Sequence, residues 1–145
     1  MQGCPFHCYN CFNPKTWDFN GGKEWTEEIE KQFMEMANRP YIKRVSILGG
    51  EPLANENLQN VLNLVNKIRL LLPEKTIWLY TGYTWEAIMD DAKRREIVLN
   101  CDVLIDGQYI DEQRDITLKW RGSPNQRVID VKQSIADNQL KLHTE

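Results

Sequence analysis

The stretch VSILGGEP at residues 45–52 indicates how this chain folds. Residues 45–48 form a short, largely apolar run that is typical of a buried strand, and Gly49 and Gly50 predict a tight loop directly after it. A helix should follow, because apolar residues recur between residues 58 and 72 at spacings of mostly three and four. A strand, a glycine loop and a helix in this order are typical of an α/β fold.

Similar elements are predicted on both sides of this stretch. Thr26 is placed to cap a helix that stops before Pro40, and Asn55 or Asn57 is placed to cap the helix that Pro73 ends. The pattern further predicts strands at 76–80, 102–105 and near 126–131, and helices from a cap at Thr84 to about 91 and from 93 to 99. We therefore predict an α/β fold with a largely parallel sheet, whose polar last ten or so residues fray.

Three loops follow predicted strands, at residues 49–52, 81–84 and 106–109. Ligands of parallel sheets bind beyond the carboxyl ends of the strands, so these loops are candidates for a binding site. The N-terminal loop has no strand before it, and such a strand would lie upstream of Met1. We therefore expect a shortened fold that lacks its first strand.

The composition is that of one globular domain. The chain has 145 residues, 41% of them hydrophobic, with 18 Lys and Arg against 21 Asp and Glu and a net charge of −3. The slight acidity argues against a nucleic-acid binder, which usually carries a basic surplus. No apolar run approaches the length of a membrane span, and the chain does not open on a secretory signal. We therefore expect a cytoplasmic protein, in which thiols stay reduced.

Three of the four cysteines, Cys4, Cys8 and Cys11, fall within eight residues in the spacing C-x3-C-x2-C. Cysteine thiolates hold iron–sulfur clusters, and a complete [4Fe–4S] site normally uses four of them. Three ligands would leave one iron without a protein ligand, so that another molecule could bind there.

Two other interpretations of the cysteines remain open. A structural zinc site needs a fourth ligand, which would have to be Cys101, His143 or His7 at an unusual spacing. Disulfides are rare in a reducing compartment. Cys101 begins a predicted buried strand and is most simply a small core residue.

The stretch CPFHCYNC at residues 4–11 resembles the signature of the radical S-adenosylmethionine (SAM) superfamily. The chain is most similar to the anaerobic ribonucleoside-triphosphate reductase activating proteins, from about residue 3 to residue 130. The matching segments are Gly3-Cys4-Pro5, Cys11-Phe12-Asn13-Pro14 with Thr16-Trp17, Gly49-Gly50-Glu51-Pro52-Leu53, Thr81-Gly82-Tyr83, Asp106-Gly107, and Trp120-Arg121-Gly122-Ser123 with Asn125-Gln126. Asn10 stands where the superfamily often has an aromatic residue.

The resemblance implies a partial, open parallel βα barrel of the radical SAM type. Residues 1–135 would form a single domain with its cluster-binding loop at 1–20, and residues 136–145 would be a polar C-terminal tail. Cys4, Cys8 and Cys11 would hold a [4Fe–4S] cluster whose fourth iron binds SAM. The SAM contacts would come from two loops: Asn10, Cys11 and Phe12 in the first, and Gly49, Gly50 and Glu51 in the second.

The resemblance also implies an activity and its partners. The chain would cleave SAM to a 5′-deoxyadenosyl radical, which takes an α-hydrogen from one glycine of the large subunit of an anaerobic ribonucleoside-triphosphate reductase. An electron donor such as flavodoxin would reduce the cluster, and neither nucleic acid nor membrane would take part. Activation of another glycyl-radical enzyme, of the formate-lyase type, is one alternative. A non-catalytic zinc or iron–sulfur binding module is the other.

Two segments have two interpretations each. Residues 81–84 would shape a nucleoside pocket or form only a capped turn. Trp120 and the polar residues up to Arg127 would close over SAM or dock a partner, although Trp120 fits a core position equally well. His7 is expected to contact its own loop, and His143 to belong to the tail.

Overall fold

The structure is a computed structural model that describes residues 1–144. The helices are α1 (Glu27–Ala37), α2 (Leu58–Leu71), α3 (Trp85–Met89), α4 (Ala92–Leu99) and α5 (Val131–Ala136). The strands are β1 (Arg44–Ile47), β2 (Thr76–Tyr80), β3 (Val103–Asp106) and β4 (Arg127–Asp130). These bounds confirm the predicted strands, and α1 to α4, to within a few residues. Helix α5 was not predicted.

The strands form one open sheet in the order β1-β2-β3-β4. Strands β1, β2 and β3 are parallel, whereas β4 is antiparallel to β3. The connection at residues 107–126 contains a short turn of 3-10 helix but no α-helix. The chain therefore does not cross back to the end of the sheet at which β3 begins, and β4 runs in the opposite direction to β3. The mixed α/β class is confirmed, with a sheet that does not close on itself.

The two faces of the sheet are buried differently. The helices cover the face that carries Ile77, Leu79 and Leu104, and most of the buried core lies there. The opposite face carries the smaller cluster of Trp78, Val103, Ile105 and Val128, against which Trp120 packs. This division follows from the alternation of side chains along a strand.

The predicted caps at Thr26 and Thr84 are confirmed, since each hydroxyl accepts a hydrogen bond from a backbone N–H in the first turn of its helix. Of the two candidates for the cap of α2, Asn57 occupies the N-cap position, as predicted, but its side chain makes no cap hydrogen bond. Its amide instead donates to the carbonyl oxygens of Gln2 (3.0 Å) and Glu51 (2.9 Å). Asn57 therefore ties the N-terminal loop to the start of the helix.

The expected fraying of the last residues is wrong as far as His143. The His143 N–H donates to the Val128 carbonyl at 2.7 Å, and Leu142 pairs with Ile129 beside β4. The His143 ring also packs edge-on against Trp78 and Trp120. The chain returns along β4 after α5, which brings these polar residues to the sheet. The assignment of residues 1–135 to one radical SAM domain, followed by a tail, stays a prediction.

None of the helices in residues 1–144 combines the length and the apolar character that a bilayer crossing requires.

Asp102 joins α2, β2 and α5 at the end of the sheet where β3 begins, opposite the N-terminal loop. Its carboxylate accepts hydrogen bonds from the Arg69 guanidinium of α2 and from the Ile77 N–H of β2, at 2.8 Å for the latter. Lys132 of α5 lies 2.9 Å away. Burial raises the pKa of the Asp102 carboxyl, but the Ile77 N–H and the two cations outweigh that effect and lower it overall.

Replacing Asp102 by Ala is expected to lower the free energy of unfolding by about 2–3 kcal/mol, because hydrogen bonds to charged groups contribute about 1.5–3 kcal/mol. The folded-state pKa is lowered, so this contribution is complete above the unfolded value of about 3.9 and is lost as the pH falls through the folded value. Denaturant unfolding of both proteins at several pH values measures it. Asp137→Ala, which removes an exposed hydrogen bond from Gln133 and a surface pair with Lys141, should cost less than about 1 kcal/mol. Equal losses in the two variants would contradict the prediction.

Candidate functional site

The N-terminal loop lies against the end of the sheet that is formed by the carboxyl ends of the parallel strands. The Gly50 N–H donates to the Met1 carbonyl at 2.9 Å, and the Glu51 N–H donates to the Gly3 carbonyl at 2.7 Å. The loop also closes on itself, since the Gly3 N–H donates to the Thr16 carbonyl at 2.7 Å. The cysteines are therefore held directly beside the glycine loop that follows β1.

Gly49 and Gly50 leave room for this contact. A Cβ on Gly49 would lie 2.5 Å from the Met1 carbonyl oxygen, and Gly49 also has a φ of +119°. A Cβ on Gly50 would lie 2.5 Å from the Gly3 carbonyl oxygen and 2.8 Å from that of Thr16. The absence of side chains thus lets the backbone of the N-terminal loop approach the sheet. The contact of both glycines with SAM stays a prediction.

The three clustered thiols, of Cys4, Cys8 and Cys11, are half-buried in this loop. The Asn13 N–H donates to the Cys11 sulfur at 3.4 Å. Burial raises the pKa of the Cys8 thiol, and negative charge on Cys4 and Cys11 raises it further. Thiolates placed together in a partly dry loop would repel one another, and bound iron would stabilise them.

Within residues 1–144, no three His, Cys, Asp or Glu side chains are arranged to hold a metal ion. In a [4Fe–4S] cluster each cysteine binds a different iron, so the ligands do not meet at one ion. The thiol chemistry and the common loop of Cys4, Cys8 and Cys11 fit such a cluster.

Aromatic side chains pack on both sides of the N-terminal loop (residues 1–20), called the cysteine loop from here on. Phe6 lies over Gly82, where a Cβ would come within 2.5 Å of its ring, and packs edge-on against Tyr83. His7 stacks on Trp17 with ring centroids 4.5 Å apart, which is the loop contact expected for it. Residues 81–84 therefore support the cysteine loop through Gly82 and cap α3 through Thr84. Their contribution to a nucleoside pocket stays a prediction.

The Glu51 carboxylate is almost completely enclosed, with 2% of the residue exposed. Its oxygens accept hydrogen bonds from the Leu53 N–H at 2.8 Å, the Thr81 hydroxyl at 2.7 Å and the Gly82 N–H at 2.6 Å. Burial raises the pKa of this carboxyl, and the three donors counteract the rise only in part. Since the Glu51 N–H donates to Gly3, one residue joins the cysteine loop, the segment that leads into α2 and the turn after β2.

The predicted contact between Glu51 and the SAM ammonium stays a prediction. In the structure, donors of the chain itself already occupy both carboxylate oxygens. Asn10 lies within the cysteine loop with a φ of +56°, in the left-handed region. Phe12 is exposed to 90%. All the sequence-predicted site residues thus lie in two loops at one edge of the sheet, but only Glu51 is buried.

A cleft of about 700 Å³ opens beside the cysteine loop, at the ends of β2 and β3. Its walls include Gly82, Thr84, Gln108 and Asn125, and one side is formed by Arg127, which pairs with Asp106 and Glu86. Hydrogen bonds to Asp106 and then to Glu86 raise the pKa of the Arg127 guanidinium. The position matches the place where ligands bind in parallel sheets.

In the segment from Trp120 to Arg127, the tryptophan packs in the core and the polar residues lie at the cleft. Trp120 packs edge-on against Trp78, with ring centroids 5.1 Å apart, as a core residue would. The polar residues instead support the cleft: the Asn125 amide donates to the Gln108 carbonyl at 2.7 Å, and that of Gln126 donates to the Gly107 carbonyl at 3.2 Å.

Comparison with known proteins identifies the relatives of this chain. Residues 1–129 match the 4Fe–4S single cluster domain family. A protein of Vibrio cholerae (serotype O1) named anaerobic ribonucleoside-triphosphate reductase-activating protein is 41% identical over 128 residues, which cover 87% of this chain and 81% of the relative. Proteins with the same name are 38% identical in Escherichia coli K12, over 88% of this chain and 83% of the relative, and 37% identical in Enterobacteria phage T4, over 88% and 79%.

This chain belongs to the family of anaerobic ribonucleoside-triphosphate reductase-activating proteins. Membership confirms the resemblance that the cysteine and glycine motifs indicated and supports a 4Fe–4S cluster in the domain. No solved structure matches the chain. The individual ligands remain predictions, and the geometry of the cysteine loop is the basis for assigning them.

Several residues that build the site carry no motif of their own. Asn57 holds the N-terminal loop, Gln108 lies 3.9 Å from the Cys8 sulfur, and Asp111 accepts from the Asn10 amide at 3.1 Å. Gln108 and Asp111 are about 100 residues away from their partners in sequence, so no local pattern pointed to them. A polar residue directly after a predicted strand was the available signal for Gln108, whose loop was among the three candidates.

Replacing Glu51 by Ala is expected to lower the free energy of unfolding by about 3 kcal/mol, because Leu53, Thr81 and Gly82 would keep buried donors without an acceptor. Glu51→Gln should cost about 1 kcal/mol, since its amide retains part of the network. The folded-state pKa is raised, so the stability of the wild type should fall as the pH rises from about 4.3 through that value, while the Gln variant lacks this change. Unfolding curves across this range test both points. A loss below about 1 kcal/mol in Glu51→Ala would show that the junction is not needed.

Proposed function

We propose that this chain activates an anaerobic ribonucleoside-triphosphate reductase by one-electron chemistry on SAM, at a [4Fe–4S] cluster held by Cys4, Cys8 and Cys11. The observation that carries the proposal is the position of these thiols. They share one half-buried loop, fixed to the end of a parallel sheet beside a cleft of about 700 Å³. The names of the relatives support the reductase as the target.

The remaining cysteine supports a cluster with three protein ligands. Cys101 is fully buried in the helix-side core, and its thiol donates to the Ile97 carbonyl at 3.5 Å. Burial raises the pKa of Cys101 to about 12, so it does not readily become a thiolate ligand. Three thiolates would then bind three irons, and the fourth iron is free for the amino and carboxylate groups of SAM.

When bound, the reduced cluster and SAM would supply one-electron chemistry that converts SAM to methionine and 5′-deoxyadenosine and removes a hydrogen atom from a glycine of the reductase. The chain contributes binding and orientation. Gly49, Gly50 and Glu51 would lie at the methionyl end of SAM, with Asn10, Cys11 and Phe12 at the nucleoside end. These residues belong to the two loops joined by the hydrogen bond from Glu51 to Gly3.

The open sheet supports a protein as substrate. We propose that the fold is a partial, open radical SAM barrel, so that the target can reach a site at the carboxyl ends of the parallel strands. A flavodoxin-type electron donor and a cytoplasmic location complete the proposal.

The proposal is tested by mixing the anaerobically reconstituted, reduced protein with SAM and the large subunit of an anaerobic ribonucleoside-triphosphate reductase. The expected result is the doublet of a glycyl radical in the electron paramagnetic resonance spectrum, together with 5′-deoxyadenosine. A reductase whose radical glycine is replaced by Ala is the control and should show no doublet. SAM cleavage without a doublet would remove the reductase as target, and a doublet only with a formate-lyase-type enzyme would favour that alternative.

Replacing any one of Cys4, Cys8 or Cys11 by Ala is expected to abolish SAM cleavage and lower the bound iron, since each thiolate holds one iron. The wild type should hold about four irons and four sulfides per chain after anaerobic reconstitution. The matched control is Cys101→Ala, which should keep both the iron and the cleavage. A colourless protein with one zinc would support the non-catalytic module, and cleavage retained in the loop variants would contradict the ligand assignment.

A further inference from the structure

The cysteine loop is attached to the connection between β3 and β4 by a side-chain network. Asn10 lies between the second and third clustered cysteines, and its amide donates to Oδ2 of Asp111 at 3.1 Å. The other carboxylate oxygen, Oδ1, accepts from the Tyr109 hydroxyl at 2.6 Å. Asp111 therefore connects two segments that lie 101 residues apart in sequence.

The connection that carries Asp111 is itself well supported. The Ile110 N–H donates to the Ser123 hydroxyl at 3.2 Å, and the Asn125 amide donates to the Gln108 carbonyl at 2.7 Å. The Gln108 side chain in turn lies 3.9 Å from the Cys8 sulfur. A supported segment can hold its partner in place, whereas a free loop cannot.

The middle of the cysteine loop needs such support. Asn10 adopts a φ of +56°, a conformation that costs energy for residues other than glycine and that Asn tolerates better than most. Its neighbours Tyr9 and Phe12 are largely exposed and add little packing. The Asp111 carboxylate accepts from two donors, and hydrogen bonds from Tyr109 and then Asn10 lower the pKa of its carboxyl. It is therefore ionised at neutral pH, which strengthens both bonds.

We propose that Asp111 is a positioning residue for the cluster: it holds Asn10 and so sets how Cys8 and Cys11 present their sulfurs to iron. This inference rests on the ligand assignment of the proposed function. Partners of metal ligands commonly change metal affinity or activity by about 10- to 100-fold when they are removed. Asp111 acts one residue further out, through the backbone of Asn10.

The first test compares Asp111→Ala with Asp115→Ala after anaerobic reconstitution. Asp115 lies in the same connection, and among residues 1–144 its carboxylate accepts hydrogen bonds from Thr117 of that connection. We expect Asp111→Ala to lose its iron to a chelator roughly tenfold faster than the wild type, with an altered electron paramagnetic resonance spectrum of the reduced cluster. Asp115→Ala should match the wild type in both measurements. Neither readout needs SAM or the reductase.

The second test exchanges the two partners. Asn10→Asp places two carboxylates face to face and should release iron fastest. In the double variant Asn10→Asp with Asp111→Asn, the new amide at 111 can donate to residue 10 and still accept from Tyr109. The net charge is that of the wild type. We expect this exchange to restore slow iron loss and the wild-type spectrum.

The outcomes separate this inference from the proposed function. If the wild type binds no iron–sulfur cluster, the ligand assignment fails and the positioning role fails with it. If the wild type binds a cluster and Asp111→Ala retains it equally well, only the positioning role is overturned. The same holds if the exchange variant behaves like Asn10→Asp. Circular dichroism of each apo-protein shows whether the variants fold.

Discussion

The buried carboxylate of Glu51 is the constraint on which the arrangement of the site depends. A carboxylate removed from water is costly unless donors surround it, and its donors here come from Leu53, in the segment that leads into α2, and from the turn after β2. These two segments must therefore meet around the carboxylate. The backbone N–H of the same residue donates to Gly3 of the cysteine loop and attaches that loop to the junction. This attachment places the cysteines at the end of the sheet.

The site combines a packed base with two loops that are held at one end of the sheet. The strands and α2 form the base, because their apolar faces are packed in the helix-side core. The cysteine loop contributes the thiols, and its backbone fits only because Gly49 and Gly50 carry no side chains. Binding residues on loops that a rigid scaffold positions are common in proteins.

Much of the fold could be predicted because its signals are local. Thr26 and Thr84 cap helices within their own first turns, and the apolar runs of β1 and β2 are complete within a few residues. The direction of β4 could not be predicted, since it depends on how residues 107–126 return to the sheet. The role of Asn57 was also missed, because its amide bonds to Gln2 rather than to its own helix. His143 looked like tail, yet it packs on Trp78, 65 residues away in sequence.

The sequence by itself determined the family of this protein: the spacing of Cys4, Cys8 and Cys11, and the glycines after the first strand, were sufficient to indicate it. Only the tertiary structure decided how these motifs are held. The donors around Glu51 and the bond from Asn10 to Asp111 join residues 30 and 101 positions apart. The reason is physical, since spacing along the chain determines which groups can share one loop. Contacts between distant groups depend on the packing of the whole sheet and its helices.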